Sequence, residues 1–362
     1  MGNTCNCLSS NPENQLPSSS TLAAEDKELE VSVTKIQAHY RGCKVRKEYK
    51  KSESTETYHK NISTSRTDHP QGSMTENLSL VGPTDPTNPQ VLDVLSRIGY
   101  FQYDEENKEV ETLFTRPPVR LENGSAYTGQ WKDGLRYGKG KQIWRDGSCY
   151  EGYWKADKAN GHGRLVHANG DYYEGNWVND KATGKGKYVR YNGGYYEGSW
   201  LNDRQHGQGT EHYPDGTVYE GEFVNGKKCG YGIIKWTDGS SYDGFFEDNL
   251  LNGQGKYTWA DGRVYEGEWK NEKMNGEGVF TWSDGRRYEG TYKDDKKEGY
   301  GVYILPDGQR YEGQWVNGKQ HGTGRYVNKN GSSRMGEWKE GKRIKWLDDE
   351  PSIDLNIKIN AQ

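Results

Sequence analysis

Two glycine and lysine runs, Gly221-Glu-Phe-Val-Asn-Gly226-Lys227 and Gly313-Gln-Trp-Val-Asn-Gly318-Lys319, carry most of a phosphate-binding loop. In such a loop backbone N–H groups cradle phosphates and the lysine reaches the terminal one. Here the Mg²⁺-binding Ser/Thr is missing, because Lys228 and Gln320 follow the two lysines. Each run also joins two strand-like segments instead of opening a helix, so nucleotide chemistry is not expected. His162, His206 and His321 recur just before a glycine pair, in a stretch that reads as turn, with no second ligand or nucleophile beside them. Paired carboxylates such as Glu266 and Glu268 alternate along a strand, where a solvated row matched by lysines is expected rather than acid–base work. No catalytic, metal or cofactor-binding residue is assigned.

The first 51 residues hold chemistry of another kind. In Met1-Gly2-Asn3-Thr4-Cys5-Asn6-Cys7, Gly2 is placed for N-myristoylation, and Cys5 and Cys7 for palmitoylation. Asn6 departs from that pattern, which prefers Ser or Thr there. Cys5 and Cys7 lack the further ligands that metal binding needs. Farther on, Lys35–Lys51 holds seven Lys/Arg and one Glu, with Val33, Ile36 and Tyr40 near helical spacing, the pattern of a basic amphipathic helix. Ile36, Gln37, Arg41, Gly42, Arg46 and Tyr49 fill all the defining positions of the IQ motif, which the segment resembles. That resemblance implies calmodulin or a related EF-hand protein as partner. Ile36 would then be the apolar anchor, Gln37 and Arg41 would hydrogen-bond around it, and Gly42 would let the partner approach closely.

Composition narrows the remainder. Of 362 residues only 31% are apolar and the mean hydropathy is −1.15, too polar for two conventional cores. The aromatic matter is skewed to 27 Tyr and 12 Trp against 6 Phe, with 48 Gly, a mixture suited to a thin glycine-and-aromatic sheet. A net charge of −4 supplies no global field for nucleic acid. Five cysteines and no apolar signal segment point to a reducing compartment. No window approaches the ~18 apolar residues of a spanning helix, so membrane contact is expected through acyl chains.

A period organises the array. Tyr127, Tyr150, Tyr173, Tyr196, Tyr219, Tyr242, Tyr265, Tyr288 and Tyr311 fall 23 residues apart, each opening a Tyr-x-Gly-x-aromatic unit, and Arg334 continues the register. In one unit Tyr265, Gly267 and Trp269 point to one side of a strand and Glu266 and Glu268 to the other. A polar turn over Lys270–Asn275, then Gly276, Gly278, Phe280 and Trp282, and Asp284-Gly285 complete a β-hairpin. Where glycine stands beside a large ring, the ring is expected to lie flat over bare backbone. Stacked hairpins predict a mainly β fold: an elongated single-layer antiparallel ribbon of roughly 20 strands, ~95 Å at ~4.8 Å per strand. These units resemble the MORN repeat family, whose unit reads Tyr-Glu-Gly-x-Trp, Gly-x-Gly, Asp-Gly. The family implies protein scaffolding, and a phosphoinositide-binding role is also attributed to it.

The Ser/Thr/Asn/Glu-rich N-terminal region is expected to be largely disordered apart from one helix. The expected organisation is a disordered, acylated N-terminus (1–30), an IQ helix (31–51), a disordered linker (52–89), and a short helix with an N-terminal cap (90–120) carrying Val91, Leu92, Leu95 and Ile98. Ten repeats, the last degenerate, occupy 121–346, and a strand-like tail with Ile353, Leu355, Ile357 and Ile359 occupies 347–362. Too few residues follow the array for the lipid-kinase or methyltransferase domains that some relatives carry, so an enzyme is not expected. The function expected is a non-enzymatic scaffold on the cytoplasmic face of a membrane. Calmodulin would bind the IQ segment and a protein partner the aromatic face of the repeats. The competing expectation is a structural component of cilia or cortical cytoskeleton without a lipid anchor.

Overall fold

The computed structural model describes residues 86–104 and 113–347. Helix α1 (Pro89–Ile98) begins where Asn88 caps it, its side chain accepting from the Gln90 and Val91 N–H groups at 2.9 and 3.3 Å. Pro89 suits the first turn, where its missing N–H costs nothing, and Gly99 at φ 72° ends the helix. The Asn88 amide also donates to the carbonyls of Asp146 and Ala168 at 3.2 Å, which pins the helix to two hairpin loops. Its buried stripe differs from the expected one. Val91 and Val94 pack on Cys149 and Val166, with Leu95 and Ile98 partly buried, whereas Leu92 is 45% exposed. The face is set by what the hairpins offer, and Leu92 points away from them.

Two bodies of strands follow. The first runs to Leu250 and comprises β1 (Phe114–Arg120), β2 (Ala126–Lys132), β3 (Leu135–Ile143), β4 (Cys149–Lys155), β5 (Lys158–Val166), β6 (Tyr172–Val178), β7 (Lys181–Val189), β8 (Tyr195–Leu201), β9 (Arg204–His212), β10 (Val218–Val224), β11 (Lys227–Lys235) and β12 (Ser241–Glu247). The second holds β13 (Leu250–Thr258), β14 (Val264–Lys270), β15 (Lys273–Thr281), β16 (Arg287–Lys293), β17 (Lys296–Ile304), β18 (Arg310–Val316), β19 (Lys319–Val327), β20 (Ser333–Lys339) and β21 (Lys342–Trp346). Within each body consecutive strands pair antiparallel in one layer, so the mainly β ribbon of hairpin repeats is the observed architecture.

One register recurs from repeat to repeat up to the tenth unit. Inside a hairpin the pairing slips once, between the glycine and the following aromatic, as at Gly152/Trp154 in β4–β5 and Gly267/Trp269 in β14–β15. Between hairpins it is regular, with glycine facing glycine at Gly163↔Gly175 and Gly278↔Gly290. The turns are tighter than the six-residue loop expected at Lys270–Asn275. Only Asn271 and Glu272, at φ 50° and 68°, lie outside the strands, and Lys273 to Asn275 belong to β15. Two consecutive positive φ values make a type I′ turn, whose twist matches the flanking strands.

Residues without glycine's freedom hold these positions because a neighbour rewards them. The Asp295 carboxylate accepts from the Met274 N–H at 2.8 Å, while the Asp295 N–H donates to the Met274 carbonyl at 3.0 Å. Asp180, Asp203 and Asn249 clamp Ala159, Ala182 and Lys228 in the same way. Each turn is thereby tied to the hairpin before it.

The ends are built differently. Pro117 and Pro118 sit at the register slip of β1 against β2, where a ladder donor is not needed. In the tenth unit Arg334 replaces the tyrosine, and its guanidinium stacks 4.5 Å from the Trp346 ring centroid. Trp338 remains buried, 4.9 Å from the Tyr311 ring.

Candidate interaction surfaces

One face of each repeat is aromatic and the other polar, as Tyr265, Gly267 and Trp269 against exposed Glu266 and Glu268 show. On the aromatic face the tyrosine ring lies on a glycine pair. A Cβ on Gly163 would stand 2.2 Å from the Tyr150 hydroxyl, and one on Gly152 2.7 Å from it. The ring fits because those atoms are absent. Its hydroxyl donates to the Tyr153 carbonyl at 3.0 Å, and Trp154 and Trp177 meet it edge-on at 5.0 and 5.4 Å. The Trp177 indole donates to the Gly163 carbonyl at 2.9 Å.

This arrangement repeats, and it buries the row: Tyr150 is 1% exposed and Tyr173 0%. The expectation that the aromatic row is the interaction surface is therefore corrected. Each ring is covered by backbone below and at the sides by aromatic rings of its own and the next repeat, Trp154 and Trp177 around Tyr150 and Phe223 and Phe246 around Tyr219, so the row itself offers no open stripe to a partner.

Two lysines complete that core. Lys297 is 1% exposed, with the rings of Trp282, Tyr288, Tyr303 and Trp315 at 4.9–5.5 Å from its ammonium. Lys228, equally buried, lies 3.1 Å from Glu211, which also accepts from the Tyr213 hydroxyl. Lys228 and Gln320 occupy the places where a phosphate loop needs Ser or Thr, and both are buried under the aromatic row. Asn225 and Gly226 form a type I′ turn between β10 and β11, so that run is a hairpin. The burial of these two lysines was not legible in the sequence, because it depends on rings from neighbouring repeats.

The histidines lie in strands, not turns. His162 falls between Gly161 and Gly163 in β5, whereas His206 and His321 precede Gly207 and Gly322 in β9 and β19. They therefore occupy two different register positions. Among the described residues no group of three or more His, Cys, Asp or Glu could hold a metal ion.

The polar face carries ion pairs, Arg164–Glu174 at 2.8 Å and Lys187–Glu197 at 2.9 Å, as expected of a solvated acidic row matched by cations. It also carries a segment of the chain itself. After α1, residues 99–104 cross β5, β4 and β3. Arg164 donates to the Gly99 carbonyl at 2.8 Å, and the Tyr153 hydroxyl to the Asp104 carbonyl at 2.9 Å. Phe101, 5% exposed, sits 5.3 Å from the His162 ring, and Tyr103 meets Tyr153 edge-on at 5.5 Å. Lys139 lies 5.1 Å from the Tyr103 ring.

Cys149, beneath α1 and 2% exposed, has its thiol pushed up to about 11 by burial. Iodoacetamide at pH 7.5 is expected to alkylate the partly exposed Cys229 while leaving Cys149 unmodified until the fold is opened, as peptide mass mapping would show. Rapid labelling of Cys149 would mean that α1 does not cover it.

Comparison with known families decides the assignment. The MORN repeat profile matches residues 127–149, 150–172, 173–195, 196–218, 219–241, 242–262, 265–286, 288–310 and 311–333, more than half of the chain. The chain belongs to the MORN repeat family. Nine MORN repeats are matched, and the degenerate tenth unit forms β20 and β21 beyond them. The profile of the IQ calmodulin-binding motif matches residues 30–50, so this MORN protein also carries an IQ motif. Both families are interaction modules rather than enzymatic domains. The IQ residues Ile36, Gln37, Arg41, Gly42, Arg46 and Tyr49, the acylation candidates Gly2, Cys5 and Cys7, and the Ile353–Ile359 tail lie outside the described residues.

No curated protein matches significantly. Among solved structures the wild-type TCP10 domain of Danio rerio CPAP is 14% identical, covers 63% of this chain and 98% of its own, and has a TM-score of 0.23. The same domain in complex with a peptide of Danio rerio STIL is 15% identical, with coverages of 65% and 98% and a TM-score of 0.23. The TCP domain of Drosophila melanogaster SAS-4, in complex with a proline-rich motif of Ana2, is 13% identical, with coverages of 59% and 96% and a TM-score of 0.21. At such scores the chains do not superpose globally, and nothing about those partners carries over. Among the described residues no helix is long and apolar enough to cross a membrane.

Proposed function

We propose that the protein is a scaffold held at the cytoplasmic face of a membrane by acyl chains on Gly2 and on Cys5 or Cys7, and released by calmodulin. The reading is carried by the pairing, in one chain, of an IQ motif with a MORN array, behind the residues Met1-Gly2-Asn3-Thr4-Cys5-Asn6-Cys7. One myristoyl chain holds a membrane only marginally, at about 10⁴ M⁻¹, so a thioester-linked chain or a basic patch must add to it. Lys35–Lys51 supplies the patch, at about 1 kcal/mol per basic residue near an anionic leaflet. A tether from Gly2 to Lys35 spans roughly 30 Å if flexible, so anchor and patch reach one bilayer. Calmodulin covering the patch would remove its contribution. A phosphoinositide contact by the repeats is not favoured, since Arg164 and Lys187 of the polar face are paired with Glu174 and Glu197.

The test is sedimentation of the myristoylated full chain with phosphatidylserine vesicles, with and without calmodulin. Calmodulin is expected to move most of the protein to the supernatant, and Ile36→Glu to abolish that release while weakening calmodulin binding by at least about 100-fold. Vesicle binding that calmodulin leaves unchanged would reject the switch. An unmodified Gly2 in the native protein, with retention in a detergent-resistant skeleton, would return the cytoskeletal reading.

A further inference from the structure

We infer that the polar face of the first body is a docking groove for an extended partner segment carrying an aromatic-x-aromatic pair, with its outer aromatic seat at Tyr231 and Phe245. This deepens the scaffold reading by naming the chemistry of the partner that the repeats take. The groove is already used once by the chain itself. Phe101-Gln102-Tyr103-Asp104 lies across the strands with both rings down on the sheet and its backbone held by Arg164 and Tyr153.

From His162, where that segment begins its contacts, a trough of about 670 Å³ continues over β6 to β10. Its floor is the backbone of glycine pairs such as Gly175–Gly186 and Gly198–Gly209, and its walls include Asn176, Lys187, Glu197, Gln208 and Glu220.

The register carries the same row onward. His162, Lys185, Gln208 and Tyr231 each stand between the two glycines of their repeat. Each faces the residue that follows the Tyr-x-Gly of the next strand: Asn176, Ser199, Glu222 and Phe245. At three of these steps the pair is polar. At Tyr231↔Phe245 it is two aromatic rings, 5.8 Å apart and edge-on, 50% and 48% exposed. Tyr153, which faces Lys139 at the equivalent step, is instead 7% exposed because Tyr103 covers it. An aromatic at this register position is therefore a seat that another aromatic fills, and the first body presents a second such seat on β11 and β12, next to β10 where the trough ends.

The strands between are paired on both edges, so recognition runs through side chains and not through strand addition. A rigid, half-exposed aromatic pair beside a polar trough is the arrangement in which a few residues dominate binding.

The test uses a fluorescein-labelled peptide of this chain's own seated sequence, Gly-Tyr-Phe-Gln-Tyr-Asp, titrated with the full chain and followed by polarisation. Saturable binding is expected in the micromolar range and at least about tenfold weaker in the Tyr231→Ala/Phe245→Ala double variant. Both side chains are half exposed, so that variant should melt within ~2 °C of the parent. Absence of saturable binding, or binding indifferent to the double variant, overturns the proposal. So does binding that Tyr153→Ala abolishes and the double variant does not, since the peptide would then be replacing the chain's own segment. Calmodulin and acylation take no part in the measurement, so it fails independently of the membrane switch.

Discussion

Gly163→Ala is expected to cost on the order of 3–5 kcal/mol and to open the repeat around it. The new methyl would stand 2.2 Å from the Tyr150 hydroxyl and 2.6 Å from the ring carbon that bears it. Neither partner has room to yield. Tyr150 is 1% exposed and wedged edge-on between Trp154 and Trp177, and the Gly163 carbonyl is held by the Trp177 indole. The ring must leave its seat, losing its burial and its bond to the Tyr153 carbonyl, which is a large core deletion with strain added. Gly226→Ala is the control. Its φ of +82° penalises alanine by only about 1 kcal/mol, and no atom lies within 4 Å of the added carbon. Thermal melts by circular dichroism, read beside amide exchange in β4 to β6, separate the two. A double-mutant cycle with Tyr150→Leu then isolates the contact: the costs should fail to add, because removing the ring removes the clash. Additive costs would show that the ring-over-glycine seat is not what the methyl disturbs.

Asp295→Asn should stabilise the protein at neutral pH, and the gain should vanish on acidification. Asp295 is 9% exposed, and burial raises its carboxyl from 3.8 to about 6 despite the Met274 N–H that it accepts. A group whose folded pKa is raised binds its proton more tightly in the folded state. Its stabilising contribution is therefore complete below about pH 4 and is lost as the pH rises through about 6. Two units correspond to roughly 3 kcal/mol, and relaxation around the site lowers the expected gain to about 1–2 kcal/mol at pH 7.5. Asparagine keeps the acceptor for Met274 and is at home at positive φ, as Asn249 shows by clamping Lys228 at 2.9 Å. Melts of the two proteins from pH 4 to pH 8 are the measurement. A gain that does not depend on pH would place the effect in turn conformation rather than in the buried charge.

The 23-residue step from Tyr127 to Tyr311 prescribes hairpins, because strand periodicity and Asp-Gly turn chemistry are local properties of a few residues. The facing of Tyr265, Gly267 and Trp269 against Glu266 and Glu268 followed from the pleat alone. Ile36 to Tyr49 likewise announce an IQ motif by residue type and spacing, which the family profile matches. The turns did not yield so readily. Lys270–Asn275 read as a polar loop, yet Asn271 and Glu272 alone make the turn. Their left-handed backbone is sustained by tertiary bonds to the preceding hairpin, such as the Glu272 N–H to the Leu251 carbonyl. The two ends of that bond lie in different hairpins, so the local turn residues do not reveal it.

Periodicity, strand alternation and the seating of tyrosine rings over glycine were settled by residue order, since each depends on neighbours within one or two strands. Assembly decided which surfaces remain for partners. An isolated hairpin would leave its tyrosine and tryptophan open to a ligand. Stacked against the next repeat, those rings close over glycine backbone and over one another, and Lys228 and Lys297 are drawn in among them. On the polar face the Phe101–Asp104 segment covers Tyr153, while Tyr231 and Phe245 stay half exposed. Exposure is a property of the stack, fixed by contacts between residues one repeat apart or more, and it appears only when the repeats are in place.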